Sequence, residues 1–119
     1  MGKILNQLKE LSQVCNDEMQ REMIEEMIME TAEYVHVVAH METLNRNFYG
    51  RDSAEKRGVV EAEDHHRSKV HEGMMSSVKS INDLCVRNRL PLIYTGDSER
   101  RHYGDFALAL VKEIFEERK

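Results

Sequence analysis

The sequence predicts an all-α helical bundle built on a long antiparallel helix hairpin, with short N-terminal and C-terminal packing helices, as a single helical domain over residues 1–119. Three observations carry this reading. Apolar residues recur at three- and four-residue intervals from Asp17 to Asn88, the pattern of one buried stripe on an α-helix. The run is broken once, at 47–53, where Gly50 supplies the permissive backbone of a reversal. The chain has a single proline, so little of it is barred from helix.

Taken in order, Lys3 to Cys15 set Ile4, Leu5, Leu8, Leu11 and Cys15 along one side of a short helix. Such a helix is marginal alone and needs a surface to pack on. The first long helix begins at Asn16 or Asp17, either of which can accept a bond from the first free N–H groups. Its stripe is Ile24, Met27, Thr31, Tyr34, Val35, Val38, Met41 and Phe48. Asp52 followed by Glu55 makes a capping box for the second, whose stripe is Val59, Glu63, His66, Val70, Met74, Ser77, Ile81, Leu84 and Cys85. At about 1.5 Å per residue each long helix reaches roughly 45–55 Å, more than the short ends of one chain can cover. That surplus predicts a homodimer. Reflection about Gly50 then places Tyr34 near Arg67, Val38 near Glu63, and Cys85 near Asn16.

Pro91 and Gly96 end the second long helix, leaving Leu90, Leu92, Ile93 and Tyr94 as an apolar strap pinned to the bundle. A last helix starts at Asp97 or Ser98 and turns Phe106, Ala107, Leu110, Val111, Ile114 and Phe115 inward.

The net charge of −5 gives no basic surface for nucleic acid. No apolar run approaches the roughly eighteen residues needed to span a bilayer, and the first residues do not form a secretory signal, so a cytoplasmic location is expected. Cys15 and Cys85 are expected there as free, small apolar residues. His65 and His71 are placed on exposed or peripheral positions.

Several constellations are candidates for chemistry. Glu63 and His66 fall on an apolar stripe opposite Tyr34 and beside Arg67, which predicts a buried polar layer of Tyr34, Glu63, His66 and Arg67 that sets register. His36 and His40, one turn apart, have the spacing of two transition-metal ligands on one helix face. Glu33/His36 and Glu63/His66 form two Glu-x-x-His pairs, which resemble the di-iron motifs of ferritin-like bundles. On the helical wheel, however, the two pairs face opposite ways. Glu30-Thr-Ala-Glu33 and Glu61-Ala-Glu-Asp64 resemble the magnesium signature of the MazG-like all-α nucleotide pyrophosphohydrolases. That resemblance implies a Mg²⁺-dependent hydrolase with Glu30, Glu33, Glu61 and Asp64 as ligands. Arg87, Arg89, Arg100, Arg101 and His102 flank the strap, interleaved with Asp83, Asp97 and Glu99, and internal ion pairs are their expected use.

No phosphate loop, nucleophile elbow or Ser/His/Asp arrangement is visible, and no cofactor is expected. Met19, Met23, Met27 and Met29 crowd the start of the first long helix, a pattern expected of ordinary core or a dimer interface, with an adaptable binding surface as the alternative. The function favoured is a non-enzymatic interaction or regulatory module that binds itself or another protein, with the MazG-like hydrolase as the alternative.

Overall fold

In the computed structural model, the structure describes residues 2–15, 17–47, 54–96 and 100–117, with the side chains of 54–56 and 100–102 left aside. The order is α1 (Lys3–Val14), α2 (Glu18–Asn47), α3 (Ala54–Arg87) and α4 (Arg100–Glu117), and no strand occurs among the described residues. The all-α bundle is as the periodicity predicts. α2 packs chiefly on α3, α4 lies against α2, and α1 bridges α4 and α2. No helix among the described residues is long and apolar enough to cross a membrane.

Asp17 is the residue that starts α2. Its Oδ1 accepts from the Met19 N–H at 2.9 Å, while its carbonyl accepts from Gln20 and Arg21. Gly2, which precedes α1, has no side chain to cap with. The Glu113 carboxylate reaches over from α4 instead and accepts from the Leu5 N–H at 3.0 Å. A Cβ on Gly2 would collide with that carboxylate, so glycine here makes room for a cap borrowed from another helix. The reversal at Phe48–Ser53 and the Asp52/Glu55 capping box lie outside the described residues, as does the start of the last helix at Asp97 or Ser98.

α3 closes with a paired reversal: Arg89 N–H donates to Val86 O and Leu90 N–H to Cys85 O. Arg89 takes a left-handed φ of 57°, a conformation in which a non-glycine residue costs about 1–2 kcal/mol, and Pro91 follows to prevent any resumption of helix. The strap that follows is pinned, as the sequence predicts. Asn82 on α3 donates from Nδ2 to Tyr94 O at 3.0 Å and accepts at Oδ1 from the N–H groups of Ile93 and Tyr94.

The core is Leu8, Leu11 and Cys15 of α1, Ile24, Met27 and Tyr34 of α2, Met74, Val78, Ile81, Leu84 and Cys85 of α3, Ile93 of the strap, and Tyr103, Phe106, Ala107 and Leu110 of α4. Thr31 is also fully buried, and it satisfies its hydroxyl by donating back to Met27 O at 2.7 Å. On α3 the buried stripe is turned by about one residue from the predicted one: His71 and Val78 are inside, whereas Val70 and Ser77 are only half-buried. The cause is a second neighbour. Side chains of α4 and the strap meet α3 on the His71 and Asn82 side, and they draw the buried face round toward them.

The core fills only one half of the hairpin. Beyond Val37 on α2 and before His71 on α3, every described side chain is exposed or partly buried. Among the described residues, this half is a two-helix arm that α4 flanks only at its root, held by the partly buried Val38, Met41, Leu44, Val60 and Val70.

Candidate functional site

The predicted polar layer does not assemble. His66 is exposed, Glu63 meets His40 instead (Oε1 to Nδ1, 3.3 Å), and Arg67 is turned to Asp64 on its own helix at 2.7 Å. Register is the reason. The observed pairs are Glu30 with Ser77, Tyr34 with His71 and His40 with Glu63, so across from Tyr34 the pairing runs about one helical turn further along α3 than reflection about Gly50 places it. Arg67 is thereby replaced by His71 as the neighbour of Tyr34. His71, which the wheel sets at the periphery, is buried.

The four carboxylates of the hydrolase reading are not brought together. Glu30 is half-buried and accepts from Ser77 Oγ at 2.7 Å, beside Gly73. Glu33, Glu61 and Asp64 are exposed, Asp64 being paired with Arg67. His36 and His40 are exposed on one face of α2, and His40 turns to Glu63. Among the described residues, no group of three or more His, Cys, Asp or Glu side chains is gathered as a metal site requires. Arg100, Arg101 and His102 lie outside the described side chains.

Cys15 and Cys85 are both free and buried. Burial pushes the Cys85 thiol above its ordinary range, opposed by a hydrogen bond with the Ile93 backbone and reinforced by the neighbouring Cys15. Burial likewise raises the Tyr103 phenol. Both groups are neutral in the fold and easier to ionise once unfolded. Their stabilising effect is therefore intact below the unfolded values, about 8.5 for a thiol and about 10 for a phenol, and is lost as pH climbs through the raised folded values. Thermal melts should show the midpoint falling as pH rises from about 8.5 upward, with a shallower fall in Cys85→Ala. A midpoint flat to about pH 10.5 would contradict this assignment.

What the sequence hides is an aromatic chain that runs through four elements. Tyr34 of α2 lies against His71 of α3 (ring centroids 5.4 Å apart), His71 against Tyr103 of α4 (5.9 Å), Tyr103 against Tyr94 of the strap (4.3 Å), and Tyr94 against Phe106 of α4 (5.6 Å). Tilted and edge-on contacts of this kind are the favoured aromatic geometries. The chain fixes where α4 sits on the hairpin, and so it positions the groove beside it.

That groove, of about 360 Å³, lies between α2 and α4 at the root of the arm. Tyr34, Val35, Val38 and Ala39 form one wall, Gly104 and Leu108 the other, and Glu42 stands at the rim. Gly104 keeps the wall of α4 low there: a Cβ would lie 3.9 Å from the Tyr34 hydroxyl, in ordinary contact. Leu108 is 59% exposed, and Phe115 further along α4 is 64% exposed. Such a lining offers no acid, base or nucleophile besides the tyrosine and the rim carboxylate. It suits the binding of an apolar side chain. A second surface, on the outer face of α2, carries Met29, 71% exposed, among Glu22, Glu25, Glu26 and Glu33.

A family profile described as "Protein of unknown function (DUF3232)" matches residues 2–119, and the chain belongs to that family. No curated protein and no solved structure matches it.

Proposed function

We propose that this member of the DUF3232 family is a non-enzymatic, cytoplasmic interaction module that self-associates, with the root of its hairpin arm as the binding element. The observation that carries this reading is the arm itself. Two helices bury too little apolar surface to be stable on their own, and here, among the described residues, Val38, Met41, Leu44, Val60 and Val70 are left half-covered. Among the described residues, α1 and α4 cover the other half of the hairpin, and α4 reaches the arm at its root, where Gly104 and Leu108 face Val38 and Ala39. The groove at the arm root and the exposed Leu108 beside it extend the same apolar surface onto α4. Helices from a second chain laid on this surface would supply the missing layer, as paired hairpins do in four-helix bundles. The buried, free thiols accord with a reducing compartment.

A folded state stabilised by its own copies melts at a temperature that depends on protein concentration. The midpoint is expected to rise by several degrees between low and high micromolar protein. A midpoint independent of concentration over that range contradicts self-association.

A further inference from the structure

The reading above places one side of the contact at the arm root but not what meets it, and resting on it, we propose that two chains join through α4 packed antiparallel on α4 of the second copy about a two-fold axis, each Phe115 entering the α2–α4 groove of the other. The exposed side of α4 carries Gly104, Leu108, Val111 and Phe115, spaced at four, three and four residues and therefore on one stripe. The two ends of that stripe are unlike. At Gly104 the helix surface is low and opens into the groove of Tyr34, Val35, Val38 and Ala39, whereas three turns later Phe115 projects into solvent. A two-fold axis perpendicular to α4, near Ala109 and Leu110, exchanges these ends. Phe115 then faces the partner's Gly104, and Leu108 faces its Val111. A two-fold interface must be self-complementary, and a stripe with a hole at one end and a knob at the other meets that requirement.

Charge supports the same axis. One residue on from Gly104 and Val111, Asp105 and Lys112 are exposed along the border of the stripe. They stand seven residues apart, two turns along one flank, too far to touch each other within a helix. The axis that brings Phe115 to the partner's Gly104 brings Asp105 opposite the partner's Lys112, once on each side. In a two-fold parallel pair, Asp105 and Lys112 of the two chains would lie on opposite sides of the interface, and neither charge would meet a partner of opposite sign. Opposite charges therefore favour the antiparallel order, the one that pairs them.

Sedimentation equilibrium of the full chain and four variants tests this. Wild type is expected to dimerise, and Phe115→Glu to weaken dimerisation about 100-fold, as loss of a central aromatic anchor does. Asp105→Lys and Lys112→Asp each place two like-charge pairs in the interface, with about tenfold weakening expected, and the double variant restores association to within about twofold of wild type. These side chains are exposed, so far-UV dichroism should stay unchanged throughout. A wild-type monomer overturns self-association itself. A wild-type dimer indifferent to all four variants overturns the α4 interface alone. Single reversals that weaken the dimer without mutual rescue overturn the antiparallel order.

Discussion

Replacing Leu110 by alanine is expected to lower the unfolding free energy by about 2–5 kcal/mol, the largest effect of a single truncation anticipated in this chain. Leu110 has no exposed surface and belongs to the one core cluster that joins α1, α2, α3, the strap and α4. Truncation removes its transfer free energy and leaves a cavity that helices held by four aromatic contacts cannot collapse around. A domain of this size has about 5–15 kcal/mol in total, so the variant should be partly unfolded well below the wild-type midpoint. Urea denaturation followed by dichroism gives the difference directly. A loss under about 1 kcal/mol would mean that α4 is not packed as described.

The second large effect is at Asn82, and it is polar. Its side chain satisfies three backbone groups of the strap, and alanine leaves the N–H groups of Ile93 and Tyr94 and the Tyr94 carbonyl to find other partners. Each unsatisfied buried group costs about 1–3 kcal/mol, unless the strap lifts away to reach water. Lifting would pull Ile93 from the core and part Tyr94 from Tyr103 and Phe106. Asn82→Ala is therefore expected to lose about 2–3 kcal/mol and to open residues 88–96 to protease before global unfolding. Asn82→Asp keeps the acceptor for the two N–H groups but sets an oxygen against the Tyr94 carbonyl, so it should also destabilise. An Asn82→Ala protein as stable and as protease-resistant as wild type would show that the strap is held by packing alone.

These two residues also mark how far the sequence could be read. Leu110 stands on a clear stripe and its burial follows from spacing, as do those of Leu8, Leu11, Ile24, Met27, Tyr34, Met74 and Ile81. The strap was legible from Pro91 and Gly96, but its clamp was not. Asn82 lies one residue outside the stripe predicted for α3, because apolar spacing does not register a polar side chain that binds backbone of the strap. The one-residue turn of that stripe hid His71 and Val78. Register was lost for a different reason: the centre of a reversal sets pairing to within a residue or two, and an error of that size is doubled across the hairpin. His71 therefore took the place of Arg67 beside Tyr34, and the predicted polar layer dissolved into a His40–Glu63 pair and an Arg67–Asp64 pair. The groove could not have been found from any one segment. It forms where Gly104 and Leu108, on one helix, come beside Val35, Val38 and Ala39 on another.

The surplus of hairpin over cover, visible in the lengths of the helical stripes and again in the half-buried residues of the arm, is what the interaction reading stands on. Light scattering coupled to size exclusion weighs the particle without assuming its shape, which matters for a chain 53 Å long and 29 × 25 Å across. At high micromolar concentration the expected mass is twice the chain's 13.9 kDa. A single species of 13.9 kDa under those conditions contradicts self-association.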